Sequence, residues 1–133
     1  MSETGTRAAN VAALEAVLGA VNAGDGATAR LYLAEHVRYE APWYDLDVQG
    51  RGRLVEMFDG LGTRFASIDY RVTELIPALD PDLVIVEARG DHAVRDSTKR
   101  YQNHYVLFVT FADGLVVRWV EYSNPEVFRE AMA

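Results

Sequence analysis

The chain contains no cysteine. A disulfide scaffold, a thiolate nucleophile and a thiolate metal site are therefore excluded, and the composition fits a reducing compartment. Positive charge is scarce and scattered: 13 Lys and Arg stand against 20 Asp and Glu, for a formal charge of -7. A field of that sign repels phosphate backbones and anionic lipid, which argues against nucleic acid and membrane as partners. The opening "MSETGTRAAN" lacks the basic and apolar regions of a leader, and the apolar runs near it are too short and interrupted to span a bilayer. Neither a glycine-rich phosphate loop nor a converging metal set is visible, since His36, His92 and His104 are dispersed. The expectation is a soluble cytoplasmic protein without cofactor or metal.

What the chain does have is apolar residues, half of its 133. That suffices for one domain over 1–133, burying about two thirds of the unfolded surface. Val11, Leu14, Val17, Leu18 and Val21 recur at helical spacing and "NAGD" supplies a terminating glycine, predicting a helix over 6–23. A short helix over 26–33 follows, then a strand over 37–42 stopped by Pro42, then a helix over 51–65 with Leu54, Val55, Phe58, Leu61 and Phe65 on one stripe. Beyond Ile68 the chain turns to Val, Ile, Tyr and Phe, broken by "LDPD", "RDSTKR" and "ADG". Four strands over 68–78, 83–94, 100–111 and 115–123 and a final helical turn after Asn124-Pro125 are predicted. Helices followed by an antiparallel meander define an α+β class, in which a curved sheet wraps three N-terminal helices and leaves a pocket between.

Alternation along 115–123 places Leu115, Val117, Trp119 and Glu121 on one face. Glu121 is then a carboxylate on an apolar surface, costly unless it has a partner or a task. Arg89 and Asp91, two apart in "VEARGDHAV", share a face and can pair. Spacing alone also fits a solvated cross-strand ion pair. If that face lines the pocket, one guanidinium between two acids keeps one ionised and favours a proton on the other.

"NAGD", "YEAP", the hairpin "YQNHYVLFVTFADGLVVRWVEYSNP" and the short last helix resemble the cone-shaped NTF2-like superfamily in its SnoaL-like branch, over nearly the whole chain. This superfold hosts many chemistries and non-enzymatic modules. Arg, one residue, Asp, then an acid after Trp-x on the last strand is similar to the limonene-1,2-epoxide hydrolase family. That resemblance implies Asp91 as proton donor, Glu121 as the acid activating a nucleophile, Arg89 as their bridge and Tyr39 as the group orienting the reacting oxygen. Glu121 replaces the family's second Asp, and Ala41 its water-holding Asn; Asn103 is the substitute at hand. The sites that carry ketosteroid isomerase chemistry are held by Ala41, Val17 and Leu107, which cannot perform it. "Y-x-N-H" and "E-aromatic-x-N-P" resemble the phenazine-biosynthesis A/B proteins, in which the matching Glu acts as an acid.

Asn103, Tyr105, Trp43 and Trp119 are the candidate substrate-binding residues, with core packing the competing role for Trp43. His104 and His92 fall on parities opposite to Tyr105 and to Asp91. Two readings follow: a cofactor-independent acid–base enzyme opening an epoxide, or cyclising or isomerising a polyketide-like or terpenoid ring, and a non-catalytic ligand-binding or interaction module. A homodimer through the outer face of the sheet is expected, with Val84, Val86, Ala88, Val106, Phe108, Val116 and Val120 as its apolar surface.

Overall fold

The computed structural model describes residues 2–133. The first helix, α1, runs Glu3–Asn22, with the Ser2 hydroxyl accepting from the Gly5 N–H and the buried Leu14, Val17 and Val21 on its inner stripe. It ends where Gly24 adopts φ +68°, a left-handed value that glycine supports without steric cost. Helix α2 (Gly26–Arg30) is capped by Asp25, and α3 (Arg51–Gly60) buries Leu54 and Phe58. The helical stripe predicted to reach residue 65 stops short: a 3-10 turn covers Leu61–Thr63, and Phe65 leaves the helix to pair with Val94.

The strands are β1 (Leu33–Ala41), β2 (Leu46–Gln49), β3 (Phe65–Ser67), β4 (Tyr70–Pro77), β5 (Leu83–Val94), β6 (Arg100–Ala112) and β7 (Leu115–Tyr122). They form one sheet in the order β2-β1-β7-β6-β5-β3, with β4 also on β5. The β1–β7 pair is parallel, so the sheet is mixed and not antiparallel throughout. The β6–β7 hairpin turns at Asp113-Gly114, both at positive φ, as a two-residue turn matched to strand twist requires. The short β2 had no sequence signal strong enough to separate it from a loop. A final helix, α4 (Pro125–Met132), starts with Pro in its first turn and the Asn124 side chain accepting from the Glu126 N–H. It packs on Phe65 and Tyr101 as a second small core.

The inner face of the sheet meets α1, α2 and α3 in one core. On β5 that face carries Val84, Val86, Ala88 and His92, all buried. The expectation that Val84, Val86 and Ala88 form an outer apolar surface is therefore corrected: they are core. Their cross-strand partners decide it, because Ala88 lies opposite the buried Tyr105 and partners in a ladder share a face. On β7 the alternation is broken once. Thr110 pairs with Arg118 but Phe111 with Val116, so Val117 is an extra residue in a bulge. Val116 and Trp119 consequently both point inward, three positions apart, and Leu115 is exposed. Val116 thus also leaves the expected outer surface; Val106 and Phe108 remain on it half-buried, and Val120, on the same face, is itself buried. No helix among the described residues is long and apolar enough to cross a membrane.

Candidate functional site

Between the helices and the inner face lies a cavity of about 510 Å³. Its walls are mostly apolar and aromatic, and Glu121 projects into it from β7. One carboxylate oxygen accepts from the Tyr39 hydroxyl at 2.9 Å and the other from the Trp119 indole N–H at 3.2 Å. All three residues arise from one local arrangement. Trp119 and Glu121 are two apart on β7, and Tyr39 is the parallel-ladder partner of Trp119 on β1. On the other side Glu121 is paired in register with Leu107, and Ala41 lines the same cavity.

This apolar setting governs the electrostatics. Burial raises the proton affinity of Glu121 above the ordinary carboxylate range, and the hydrogen bonds from Tyr39 and Trp119 only partly offset it. Among the described residues no Lys, Arg or His forms an ion pair with it. Burial likewise pushes the phenols of Tyr39, Tyr44, Tyr70 and Tyr105 up, so all four remain neutral hydroxyls across the working pH range. Tyr44 shares a hydrogen bond of 2.7 Å with Ser123, which fixes the ring at the C-terminal side of the cavity.

The other predicted catalytic residues lie elsewhere. Arg89 is exposed on the outer face, between Arg71 and His104 in the ladder. Asp91 is on that face too, accepting from Arg100 Nε at 2.7 Å, and this bond holds its carboxyl below the usual range. Neither can meet Glu121 through the sheet. The expected guanidinium bridge between two acids is absent because β5 turns its small and apolar residues inward and leaves its charges in water.

Of the predicted binding residues, Tyr105 and Trp119 line the cavity. Asn103 points inward but is spent on structure: its amide N–H donates to the Tyr101 hydroxyl and the Asn124 carbonyl, tying β6 to the turn before α4. Trp43 is 62% exposed and packs edge-on against Tyr122 outside the cavity. Tyr44, which the sequence places beside Trp43 and Tyr39 as an aromatic that could wall the pocket mouth, does line the cavity, and Tyr70, Tyr101 and Ser123 line it beyond the residues the sequence points to. The shared parity of Tyr101, Asn103 and Tyr105 carried a signal for Tyr101; nothing in the sequence marks Tyr70. His92 is wholly buried behind the tyrosines, where desolvation lowers its pKa to about 4 and Nδ1 accepts from the Asp69 N–H at 3.0 Å.

A curved mixed sheet closing on three helices, with a lone acid in a tyrosine-lined pocket, defines an α+β cone of the NTF2-like type. The chain belongs to the SnoaL-like domain family, which matches residues 14–119. Among solved structures it is similar to a candidate isomerase from Bacillus subtilis, at 19% identity and TM-score 0.85 over 99% of this chain and 96% of that one. An LEH-like epoxide hydrolase from M. tuberculosis aligns at 18% identity and TM-score 0.79, over 94% and 90%. A candidate SnoaL-like polyketide cyclase from Jannaschia sp. CCS1 aligns at 17% and 0.81, over 93% and 91%. Identities this low speak to the fold. No curated protein matches the chain.

Proposed function

We propose that the protein is a cofactor-independent acid–base enzyme of the isomerase or cyclase type, acting on an apolar small molecule held in the cavity. The observation that carries this reading is the Glu121 carboxyl, enclosed by apolar walls, hydrogen-bonded on both oxygens and raised in proton affinity. A carboxyl tuned upward toward neutral pH exchanges protons with carbon acids more effectively than an exposed one. Glu121 as carboxylate takes the proton from a carbon beside the substrate carbonyl, and the C–H electron pair moves onto the carbonyl oxygen. The neutral phenols of Tyr70 or Tyr105, on the same wall, donate a hydrogen bond to that developing enolate. Glu121 then returns the proton to a different carbon, which isomerises the substrate. Alternatively the enolate carbon attacks a second carbonyl, closing a ring, and Glu121 protonates the resulting alkoxide. Tyr39 and Trp119 hold the carboxylate in place throughout.

Epoxide opening ranks below these reactions. It needs one acid to protonate the oxygen while another activates water, and Arg89 and Asp91, its other half by resemblance, occupy the opposite face. The test is deuterium exchange at the carbon beside the carbonyl, followed by NMR in D2O across a panel of cyclic and polyketide-like ketones. Exchange by the native protein and none by Glu121→Gln is expected; equal exchange by both would overturn the reading.

A second reading, an interaction module, draws on the outer face. Phe108 packs edge-on against Tyr122, and Tyr122 against the exposed Trp43, leaving aromatic surface in water. A homodimer through this face is proposed with it. Sedimentation as a dimer at micromolar concentration is expected, and a monomer there would remove it.

A further inference from the structure

The wall around Glu121 is aromatic: Tyr39, Tyr70, Tyr105 and Trp119 line the cavity together with Tyr44 and Phe128, and Tyr39 and Trp119 turn their polar edges to the carboxylate. The charge inside is of one sign. Arg64, the cation lining the cavity, is exposed at its edge with its guanidinium 5.5 Å from the Phe128 ring. An ionised carboxylate offers about four acceptor positions, and the two observed donors leave about two of them unfilled. An acid buried without a cation beside it, inside a box of electron-rich rings, lacks one thing, which is positive charge on an apolar body.

We infer that the cavity binds a hydrophobic ammonium ion, tertiary or quaternary, paired with the Glu121 carboxylate and enclosed by the surrounding aromatic rings. The ligand's alkyl groups suit the apolar lining, and its weakly hydrated charge is removed from water at lower cost than that of a primary amine. A phosphate, sulfate or carboxylate ligand meets the opposite field and is disfavoured. The inference rests on the acid–base reading for the identity of the reacting group and adds the class of substrate. In the free protein burial favours the protonated acid; a bound ammonium drives Glu121 to ionise, and so arms the base where the substrate carbon lies.

The titratable groups that face Glu121 are phenols: Tyr39 from β1, Tyr44 from the turn after it, Tyr70 from β4, and Tyr101 and Tyr105 from β6. His92 stands behind Tyr70 and Tyr101 and titrates near 4. The affinity of a permanently charged ligand therefore follows the Glu121 proton, falling as pH drops through the raised pKa of that acid. Benzyltrimethylammonium and its uncharged carbon isostere neopentylbenzene are the probes, with binding followed by ligand-observed NMR. The cation is expected to bind at least about tenfold tighter at pH 8, and to lose about tenfold per pH unit below the Glu121 pKa as protons compete. Glu121→Gln is expected to abolish both the preference and the pH limb. Equal affinity for the two probes, or a pH-independent cation affinity in the native protein, would overturn the inference without reference to any variant's folding. Failure of the cation preference leaves proton exchange on ketones intact, whereas loss of exchange leaves cation binding intact, so the two readings fail separately.

Discussion

Glu121 and Asp91 stand on the two strands that flank β6, on opposite faces of one sheet, and their proton affinities move in opposite directions. Asp91 faces water with Arg100 on it and is pulled down; Glu121 faces the cavity with two neutral donors and is pushed up. Identical chemistry separates because of the side of the sheet on which it falls. Water and a guanidinium stabilise the anion outside, while inside the hydrogen bonds only partly replace the lost solvation. The useful acid is the one the fold stabilises less.

The sharpest way to break this contrast is to remove the inner carboxyl. Glu121→Gln is expected to lower turnover by about 10²–10⁴, as loss of a positioned acid–base group does, measured by steady-state kinetics on any ketone that exchanges. Stability should respond in the other direction. With its folded pKa above the unfolded one, Glu121 holds its proton longer in the folded state, so stability falls as pH rises from the unfolded carboxyl pKa through the folded one. The variant should lose that decline in a pH series of thermal unfolding.

Next in size is the wall behind the cavity. A Cβ at Gly90 would lie 2.8 Å from both His92 Nε2 and Tyr105 Cε2, and both are ring atoms in packed surroundings. Gly90→Ala is expected to cost about 1–3 kcal/mol of stability, the range for overpacking a core, read from denaturant unfolding. A smaller effect should follow Tyr39→Phe. Its hydrogen bond lowers the Glu121 pKa, so its loss should move the acid limb of the rate profile to higher pH. Smallest of all is the outer pair: Asp91→Asn and Arg100→Ala should leave turnover and the unfolding midpoint essentially unchanged, since exposed ion pairs contribute little. A marked loss of turnover in Asp91→Asn would restore the two-acid device and sink the contrast.

The inward direction of Glu121 was legible from alternation with Trp119, but its donors were not: the partner expected there was Arg89, and the structure supplies Tyr39 and Trp119. Nor was the face of Arg89 and Asp91. In "VIVEARGDHAV" both phases carry apolar residues, so alternation has two solutions and only the register with β6 chooses between them. The choice was latent in the reading that put Asn103 and Tyr105 inward, since Gly90 and Ala88 are their partners; the length of the intervening turn hid it. The β1–β7 pairing had no local trace either. It joins residues about eighty apart in sequence, and its direction follows from tertiary packing. That is why the parallel contact supplying Tyr39 to Glu121 could be reached only by resemblance.

The extra residue at Val117 has a consequence for how this chain tolerates change. Side chains on β7 beyond it are assigned to cavity or solvent by a count of residues and not by their polarity. Deletion of Val117 alone would leave Val116 opposite Phe111 and Arg118 opposite Thr110 as consecutive residues of a regular ladder, so Trp119 and Glu121 would keep the surfaces they occupy, whereas a further inserted residue would need a second bulge to do so. Position 117 should therefore accept both substitution and loss, the strand giving up only the local twist that the extra residue adds.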